Sequence, residues 1–272
     1  MSRPFVAALS SERMLQLYGK LRSVAYRDAR MIVISAMPKS GSSFLAQALE
    51  EIMGYKHGYF AGAFSNIEQE LYLPRLIDAY GVGTVTQQHF KANSTNLEIL
   101  RRYGIRPVVL VRNIFDALVS ARDHLVQESR DNFPAVYATQ DFATFDLERQ
   151  MDFVIDMIAP WYVTYYVSWL KAEQGGCPFL WISYEEAIRD WHGTIARVLD
   201  YYGIVKSADD IDRALASMQR KPRRKTRLNQ GVIGRGKMTL NENQRRRVLQ
   251  LTRHYPSMDF SRVALHAGAF EA

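Results

Sequence analysis

A chain of 272 residues, of which 47% are hydrophobic, is long enough to bury a sizeable core, and one large α/β domain accommodates it. The net charge of +7 favours a polyanionic ligand such as a nucleotide; the basic residues form no recognisable nucleic-acid motif, so no nucleic-acid partner is expected. No apolar run approaches the roughly 18 residues of a membrane span. The only cysteine, Cys177, excludes an intrachain disulfide and suits a reducing compartment, which predicts a cytoplasmic protein.

Predicted strands and helices alternate along the chain. Apolar or β-rich runs predict strands over residues 31–36, 84–90, 107–112 and 178–184. Helical periodicity predicts helices over about 11–28, 42–53, 67–79, 95–103, 114–127, 146–173, 187–202, 208–218 and 240–254. This alternation indicates an α/β fold with a mostly parallel central sheet flanked by helices, and no linker divides it, so we expect a single domain over residues 1–272. The weakly patterned stretch at 128–145 predicts a lid or substrate loop.

The first strand, the loop after it and the next helix form a P-loop-like unit. The loop carries Lys39, Ser40, Gly41, Ser42 and Ser43. Glycine permits close approach of a ligand, and either Ser42 or Ser43 is expected to cap the helix. A lysine, hydroxyl donors and a helix N-terminus around one point favour a bound phosphate or sulfate. The alternative is an ordinary turn with a surface lysine.

The lysine and glycine of this loop do not follow the Walker A order, in which the lysine comes directly after the second glycine, because Lys39 precedes Gly41 by two positions. The order Pro-Lys-Ser-Gly-Ser-Ser-Phe over residues 38–44 instead resembles the 5′-phosphosulfate loop of sulfotransferases that use PAPS (3′-phosphoadenosine 5′-phosphosulfate). Phe44 stands where that family often has tryptophan. The resemblance implies that Lys39 to Ser43 bind the 5′-phosphosulfate and that Lys39 acts catalytically on the leaving oxygen.

A second anion site is expected after the strand at 107–112. Arg112 closes this strand and Ser120 lies about two turns into the next predicted helix, so a guanidinium and a hydroxyl can face one oxyanion. The spacing resembles the family's 3′-phosphate site, in which Arg-Asn-Pro-x-Asp is followed by a serine; Ile114 replaces the proline here. The alternative is a salt bridge between Arg112 and Asp116.

A histidine ends the polar strand predicted at 84–90. An imidazole titrates near neutral pH and can take a proton from a hydroxyl or an amine. In the cytosolic sulfotransferases that the chain resembles, a histidine at this place is the general base, often within Lys-Thr-His, which implies that His89 is catalytic. The sequence here is Gln-Gln-His, so the family's lysine is missing, and Lys91 is the candidate to replace it. The alternative is a structural histidine.

Two later stretches resemble the family's remaining nucleotide contacts. Tyr184, within Trp-Ile-Ser-Tyr-Glu-Glu, matches a tyrosine that helps bind the adenosine; a plain buried tyrosine is the alternative. Residues 227–236 resemble the Arg-Lys-Gly-x-x-Gly region that closes on the 3′-phosphate. Aligning the glycines leaves no basic pair before Gly231, so Arg227 or Arg235 is expected to supply the charge, and Gly231 a backbone N–H.

Together these features imply a PAPS-dependent sulfotransferase with its core at about residues 30–255. It would transfer a sulfuryl group to a hydroxyl or amine and release PAP (adenosine 3′,5′-bisphosphate), with no metal required. The competing hypotheses are a P-loop-type small-metabolite kinase and a non-enzymatic nucleotide- or RNA-binding module. Aromatic residues in the helix predicted at 146–173 favour an apolar or aromatic small-molecule acceptor. The residues leave a monomer and a homodimer equally open.

Overall fold

A five-stranded parallel sheet lies at the centre of the molecule. The computed structural model describes residues 12–25, 31–62, 69–79, 82–127, 133–134, 136–220 and 232–266. The strands are β1 (Met31–Ala36), β2 (Lys56–Gly58), β3 (Thr84–Gln88), β4 (Val108–Val111) and β5 (Leu180–Ser183), in the spatial order β2-β3-β1-β4-β5. Every described strand pair is parallel, which confirms the predicted sheet. The short edge strand β2 was not predicted, because Lys-His-Gly carries no apolar pattern.

Each face of the sheet is covered by its own hydrophobic core, because successive strand residues point to opposite faces. Val33 and Val109 belong to the core formed with the helices of residues 114–127 and 147–174. Ile32 and Ile34 belong to the other core, with the helices of residues 42–53, 191–201 and 208–220. Burial on both faces explains why β1 and β4 read as continuous apolar runs.

The described helices agree with most of the predicted ones. They are α1 (Glu12–Ala25), α2 (Ser42–Met53), α3 (Leu73–Ala79), α4 (Ser94–Arg102), α5 (Ile114–Gln127), α6 (Leu147–Met157), α7 (Ala159–Gln174), α8 (Tyr184–Arg189), α9 (Trp191–Tyr201), α10 (Ala208–Arg220), α11 (Arg235–Thr239) and α12 (Glu242–Gln250). Short 3₁₀ helices occupy Gln140–Thr144, Leu251–His254 and Ser261–Val263. None of the helices in these described ranges has both the length and the apolar character that crossing a bilayer demands.

Two predicted helices are each divided in the structure. The helix predicted at 146–173 is interrupted at Ile158, because Pro160 lies in the first turn of α7, where a missing backbone N–H is tolerated. The helix predicted at 187–202 is divided at Asp190, whose carboxylate accepts a hydrogen bond from the Gly193 N–H at 2.8 Å and starts α9. The short α11 was not predicted.

The strand order brings four chain segments to one edge of the sheet. From β1 the chain first builds one side of the sheet, through β2 and β3, and then the other side, through β4 and β5. The carboxyl ends of neighbouring parallel strands lie at the same edge, and a ligand crevice forms where the strand order reverses. His89 follows β3, the loop of residues 37–41 follows β1, Arg112 follows β4, and Tyr184 follows β5.

Candidate active site

The loop after β1 is an open cradle at the N-terminus of α2. Lys39 and Gly41 both adopt left-handed backbone conformations, with φ of 68° and 82°. Gly41 is the N-cap of α2, and no described side chain caps this end. The prediction that Ser42 or Ser43 caps the helix is therefore wrong, because the left-handed Gly41 closes the turn and places both serines inside the first helical turn. The first N–H groups of α2 therefore have no capping side chain, as an anion site requires.

The cradle is shaped for close contact between backbone and ligand. A Cβ atom on Gly41 would lie 2.9 Å from Cδ2 of Tyr184, so only glycine fits beside this ring. The hydroxyl of Ser40 is buried and has no hydrogen-bond partner within the described part of the chain. A buried hydroxyl without a partner is costly, and a phosphate or sulfate oxygen would satisfy it. These two observations fit a bound oxyanion.

Arg112 links this cradle to the C-terminal part of the chain. Its side chain is buried, with Nη1 donating to the Lys39 carbonyl at 3.0 Å and Nη2 to the Val232 carbonyl at 3.3 Å. The guanidinium lies 4.2 Å from the centre of the Tyr184 ring, a cation–π contact. Its Nε is buried and lacks a hydrogen-bond partner among the described residues, so this donor can serve an anion.

The alternative in which Arg112 forms a salt bridge with Asp116 is not what the structure shows. The Asp116 carboxylate accepts hydrogen bonds from the backbone N–H groups of Gly234 and Gly236, both at 2.7 Å. Ser120 is buried in α5, one helical turn after Asp116. Asp116 therefore does not occupy the Arg112 guanidinium, and the oxyanion site of Arg112 and Ser120 stays a prediction.

His89 is held in a defined tautomer at the end of β3. Its Nδ1 lies 2.7 Å from the Ala36 carbonyl oxygen. Because a carbonyl only accepts hydrogen bonds, Nδ1 carries the proton, and Nε2 keeps the lone pair that a general base needs. The Gln87 amide lies 3.4 Å from Nε2 and the Gln69 side chain accepts the His89 backbone N–H at 2.8 Å. The imidazole ring is thus held by Ala36 and Gln87, while Gln69 holds the backbone of His89.

A buried hydroxyl pair secures the backbone just after His89. The Ser35 hydroxyl donates to the Phe90 carbonyl at 2.8 Å and lies 2.9 Å from the Tyr165 hydroxyl. Since the single Ser35 hydrogen is used on Phe90, Tyr165 must donate to Ser35. Burial raises the pKa of the Tyr165 phenol above its ordinary value, so this donor stays protonated at neutral pH. The pair ties β1, the end of β3 and α7 together at the site.

A half-buried carboxylate, that of Glu185, lies near Arg112. Glu185 accepts a hydrogen bond from the Asn113 backbone N–H at 3.1 Å. Burial raises the pKa of the Glu185 carboxyl above its ordinary value, while hydrogen bonds from backbone N–H groups and the Arg112 charge act in the opposite direction. The folded protein therefore binds this proton more tightly than the unfolded chain does.

We expect Glu185→Gln to remove part of the pH dependence of stability. The contribution of a carboxyl with a raised pKa is fully present below its unfolded pKa and is lost as pH rises through its folded pKa. The variant should therefore gain free energy of unfolding, relative to the wild type, on going from pH 4 to pH 7. Urea unfolding at both values measures this, with Glu186→Gln, an exposed neighbour, as control. A variant whose relative stability is greater at pH 4 would contradict the prediction.

The structure places the remaining predicted residues as follows. Tyr184 is buried between Gly41 and Arg112. Arg235 pairs with Asp123 at 2.8 Å, with both side chains largely buried. Arg227 and Gly231 lie outside the described residues. The lid or substrate loop predicted at 128–145 is described only in part, including the 3₁₀ helix at Gln140–Thr144.

Sequence reasoning missed some residues at the site. Asp116 entered only as a possible partner of Arg112, although it binds the backbone of residues 234 and 236. Trp191, whose ring lies 4.5 Å from that of Phe44 beside the cradle, carried no signal at all. Both depend on contacts between distant segments.

Among the described residues, no three His, Cys, Asp or Glu side chains cluster as a metal site would need.

Fold and site together define an α/β protein in which His89, the loop of residues 37–41 and Arg112 lie at the carboxyl ends of three neighbouring strands. The family model for the sulfotransferase domain matches residues 29–260. The chain therefore belongs to the sulfotransferase family. The predicted sulfotransferase is confirmed, and neither the kinase nor the nucleic-acid module is favoured.

Solved structures share the fold over most of the chain. The mouse sulfotransferase SULT7A1 complexed with PAP is 15% identical, with a TM-score of 0.64, covering 87% of this chain and 88% of that chain. Retinol dehydratase in complex with androsterone and the inactive cofactor PAP is also 15% identical, with a TM-score of 0.56 and coverage of 89% and 88%. A search of curated proteins found no significant match. These distant structures confirm the predicted α/β architecture.

Proposed function

We propose that the protein transfers the sulfuryl group of PAPS to a hydroxyl or amine on a small molecule and releases PAP. The observation that carries this proposal is the placement of His89, the cradle and Arg112 after three neighbouring strands, β3, β1 and β4. A nucleotide with phosphates at both 3′ and 5′ needs two anion sites, and a sulfuryl acceptor needs a base beside the 5′ end. The structural neighbours crystallised with PAP support the same co-substrate.

The cradle would hold the 5′-phosphosulfate. The first-turn N–H groups of α2, the Ser40 hydroxyl and the serines at 42 and 43 supply donors to its oxygens. When the bond between sulfur and the bridging oxygen breaks, negative charge develops on the phosphate of PAP. The Lys39 ammonium and the positive end of α2 would stabilise this charge, and they are in place before the reaction starts.

Arg112 and Ser120 would hold the 3′-phosphate. The Nε of Arg112 is buried without a partner in the described part of the protein, and its two Nη atoms already hold the surrounding loops. Tyr184 stabilises this guanidinium by ring contact. A direct contact of Tyr184 with adenosine stays a prediction, as do the phosphate contacts of Arg227, Gly231 and Arg235.

His89 would act as the general base. Its Nε2 takes the proton from the acceptor hydroxyl or amine while that oxygen or nitrogen attacks sulfur. The new bond to sulfur forms in line with the departing phosphate oxygen, so the sulfuryl group passes to the acceptor and PAP leaves with the bond's electron pair. Positioning and electrostatics dominate, because no covalent enzyme intermediate is involved.

The acceptor is proposed to be an apolar or aromatic small molecule. Of the aromatic residues predicted to be mainly core, Tyr162, Tyr165 and Trp169 are fully buried, whereas Trp161 is partly exposed. The Lys91 ammonium lies 5.0 Å from the centre of the Trp161 ring, two residues after His89. Trp161 is therefore a partly exposed aromatic ring in contact with Lys91. Substitution of Lys91 for the family's missing lysine stays a prediction.

We also propose that residues 1–272 form one domain and that the protein works in the cytoplasm. The first proposal is supported by the sulfotransferase match over residues 29–260. The second is supported by the single cysteine, Cys177, which is a free thiol, as suits a reducing compartment.

Ligand-induced thermal stabilisation separates the candidate functions. At about 100 times its dissociation constant, PAP should stabilise the native state by about 2.7 kcal/mol, which raises Tm by roughly 5–10 °C in a chain of this size. ATP with Mg²⁺ should give a much smaller shift. Labelled PAPS with a panel of phenols, lipid alcohols and amines should then give labelled product. Stabilisation by ATP–Mg²⁺ alone, or salt-dependent polynucleotide binding without turnover, would contradict the proposal.

A further inference from the structure

The chain that follows the predicted 3′-phosphate region is bound to α5 through its backbone. Asp116 is fully buried, and its two carboxylate oxygens accept the N–H groups of Gly234 and Gly236, each at 2.7 Å. Hydrogen bonds to a charged acceptor are among the strongest in proteins. One side chain thus holds a backbone segment that lies 118 and 120 residues away in sequence.

Close packing fixes the same segment against α5. A Cβ atom on Gly236 would lie 2.4 Å from the Phe115 Cβ and 3.0 Å from the Asp116 backbone nitrogen. No side chain can be accommodated there, so the two backbones are in direct contact. The segment of residues 232–236, which we call the anchored strap, therefore has little freedom to shift along the helix.

A second carboxylate of α5, that of Asp123, binds the anchored strap at Arg235. Asp123 forms an ion pair with Arg235 at 2.8 Å, with side-chain exposures of only 7% and 14%. Asp116 and Asp123 are seven residues apart, so they lie on one face of the helix, and Ser120 lies between them on that face. The strap is thus bound on both sides of the serine that is proposed to contact the 3′-phosphate.

We propose that Asp116 is a positioning residue, which with the Asp123–Arg235 pair holds the anchored strap over the 3′-phosphate site. Arg112 contributes from the other side by donating to the Val232 carbonyl. Preference for a nucleotide with a 3′-phosphate over one without it depends on this anchoring. The inference rests on the proposed function, and it assigns Arg235 to positioning in place of the predicted phosphate contact.

The test compares PAP with AMP, which lacks the 3′-phosphate, by calorimetry on the full chain. The wild type should bind PAP much more tightly than AMP. In Asp116→Asn one backbone N–H faces an amide donor in place of an acceptor. The variant should lose about tenfold or more in PAP affinity, the size expected for one charge-assisted hydrogen bond, with AMP affinity unchanged. A merely structural loss would weaken both nucleotides alike, and an unchanged ratio of PAP to AMP affinity would overturn the inference.

A double-variant cycle tests the ion pair between Asp123 and Arg235 and does not depend on the folding of the Asp116 variant. Asp123→Asn and Arg235→Met should each lower the ratio of PAP to AMP affinity several-fold, and the double variant should lose little more than either single variant, because each removes the same pair. If Arg235 contacts the phosphate itself, Arg235→Met lowers the ratio far more than Asp123→Asn does, which would overturn the assignment. A wild-type protein with no preference for PAP over AMP overturns the proposed function and this inference together. A clear wild-type preference that all these variants keep overturns the inference alone.

Discussion

Replacing His89 with alanine is expected to lower kcat by about 10²–10⁴-fold, the usual contribution of a positioned general base, while the affinity for PAP stays within about twofold of the wild type. The reason lies in the tautomer. Because Nδ1 donates to the Ala36 carbonyl at 2.7 Å, Nε2 is the nitrogen that can take the acceptor's proton. Alanine removes this proton-accepting nitrogen and leaves both proposed anion sites in place.

Steady-state kinetics with PAPS and calorimetry with PAP measure the two quantities for His89→Ala. His254→Ala, at an exposed histidine of the 3₁₀ helix at Leu251–His254, is the matched control and should turn over normally. Full turnover by His89→Ala would exclude the histidine from catalysis and return it to a structural role.

Replacing Lys39 with methionine, which keeps the length of the side chain and removes its charge, is expected to lower kcat by about 10²–10³-fold, the effect of losing one preorganised charge stabiliser. The loss should be larger in kcat than in PAP affinity, because charge on the bridging oxygen grows only as its bond to sulfur breaks. The cradle itself should survive, since its backbone is defined by Gly41 and by the Arg112 bond to the Lys39 carbonyl.

Single-turnover rates with labelled PAPS and the thermal shift with PAP separate these two effects for Lys39→Met. Lys39→Arg keeps a cation and should retain more activity than the methionine variant. Lys206→Met, at an exposed lysine in the loop before α10, is the control for loss of a positive charge. A loss in PAP affinity with kcat unchanged for Lys39→Met would instead assign the lysine to ground-state binding.

Local patterns predicted much of the fold. The bounds of β1, α2 and α5 agree with their predicted ranges, because a doubly buried strand and an amphipathic helix are both encoded over a few consecutive residues. Prediction was poorer where a single residue determines where one helix ends and the next begins. Asp190 and the proline at 160 divide what reads as continuous helical periodicity, because one cap or one missing N–H changes the hydrogen bonding of a whole turn.

The sequence by itself determined the order of the chemical groups. Lysine, glycine and three serines between an apolar strand and a helix predict an anion cradle, and arginine at the end of another strand predicts a second anion site. Local order was sufficient here because both elements are built from neighbouring residues. It also excluded the Walker A arrangement, which depends only on spacing.

Only the tertiary structure decided how these groups work together. The proton position on His89 depends on a carbonyl 53 residues away, and the role of Asp116 depends on backbone N–H groups 118 and 120 residues away. Likewise, Arg112 touches the cradle and the anchored strap because β4 lies beside β1. Such contacts depend on which strands are neighbours in the sheet. Buried polar groups need hydrogen-bond partners, and here the partners come from distant segments. A sequence pattern confined to one segment therefore cannot predict them.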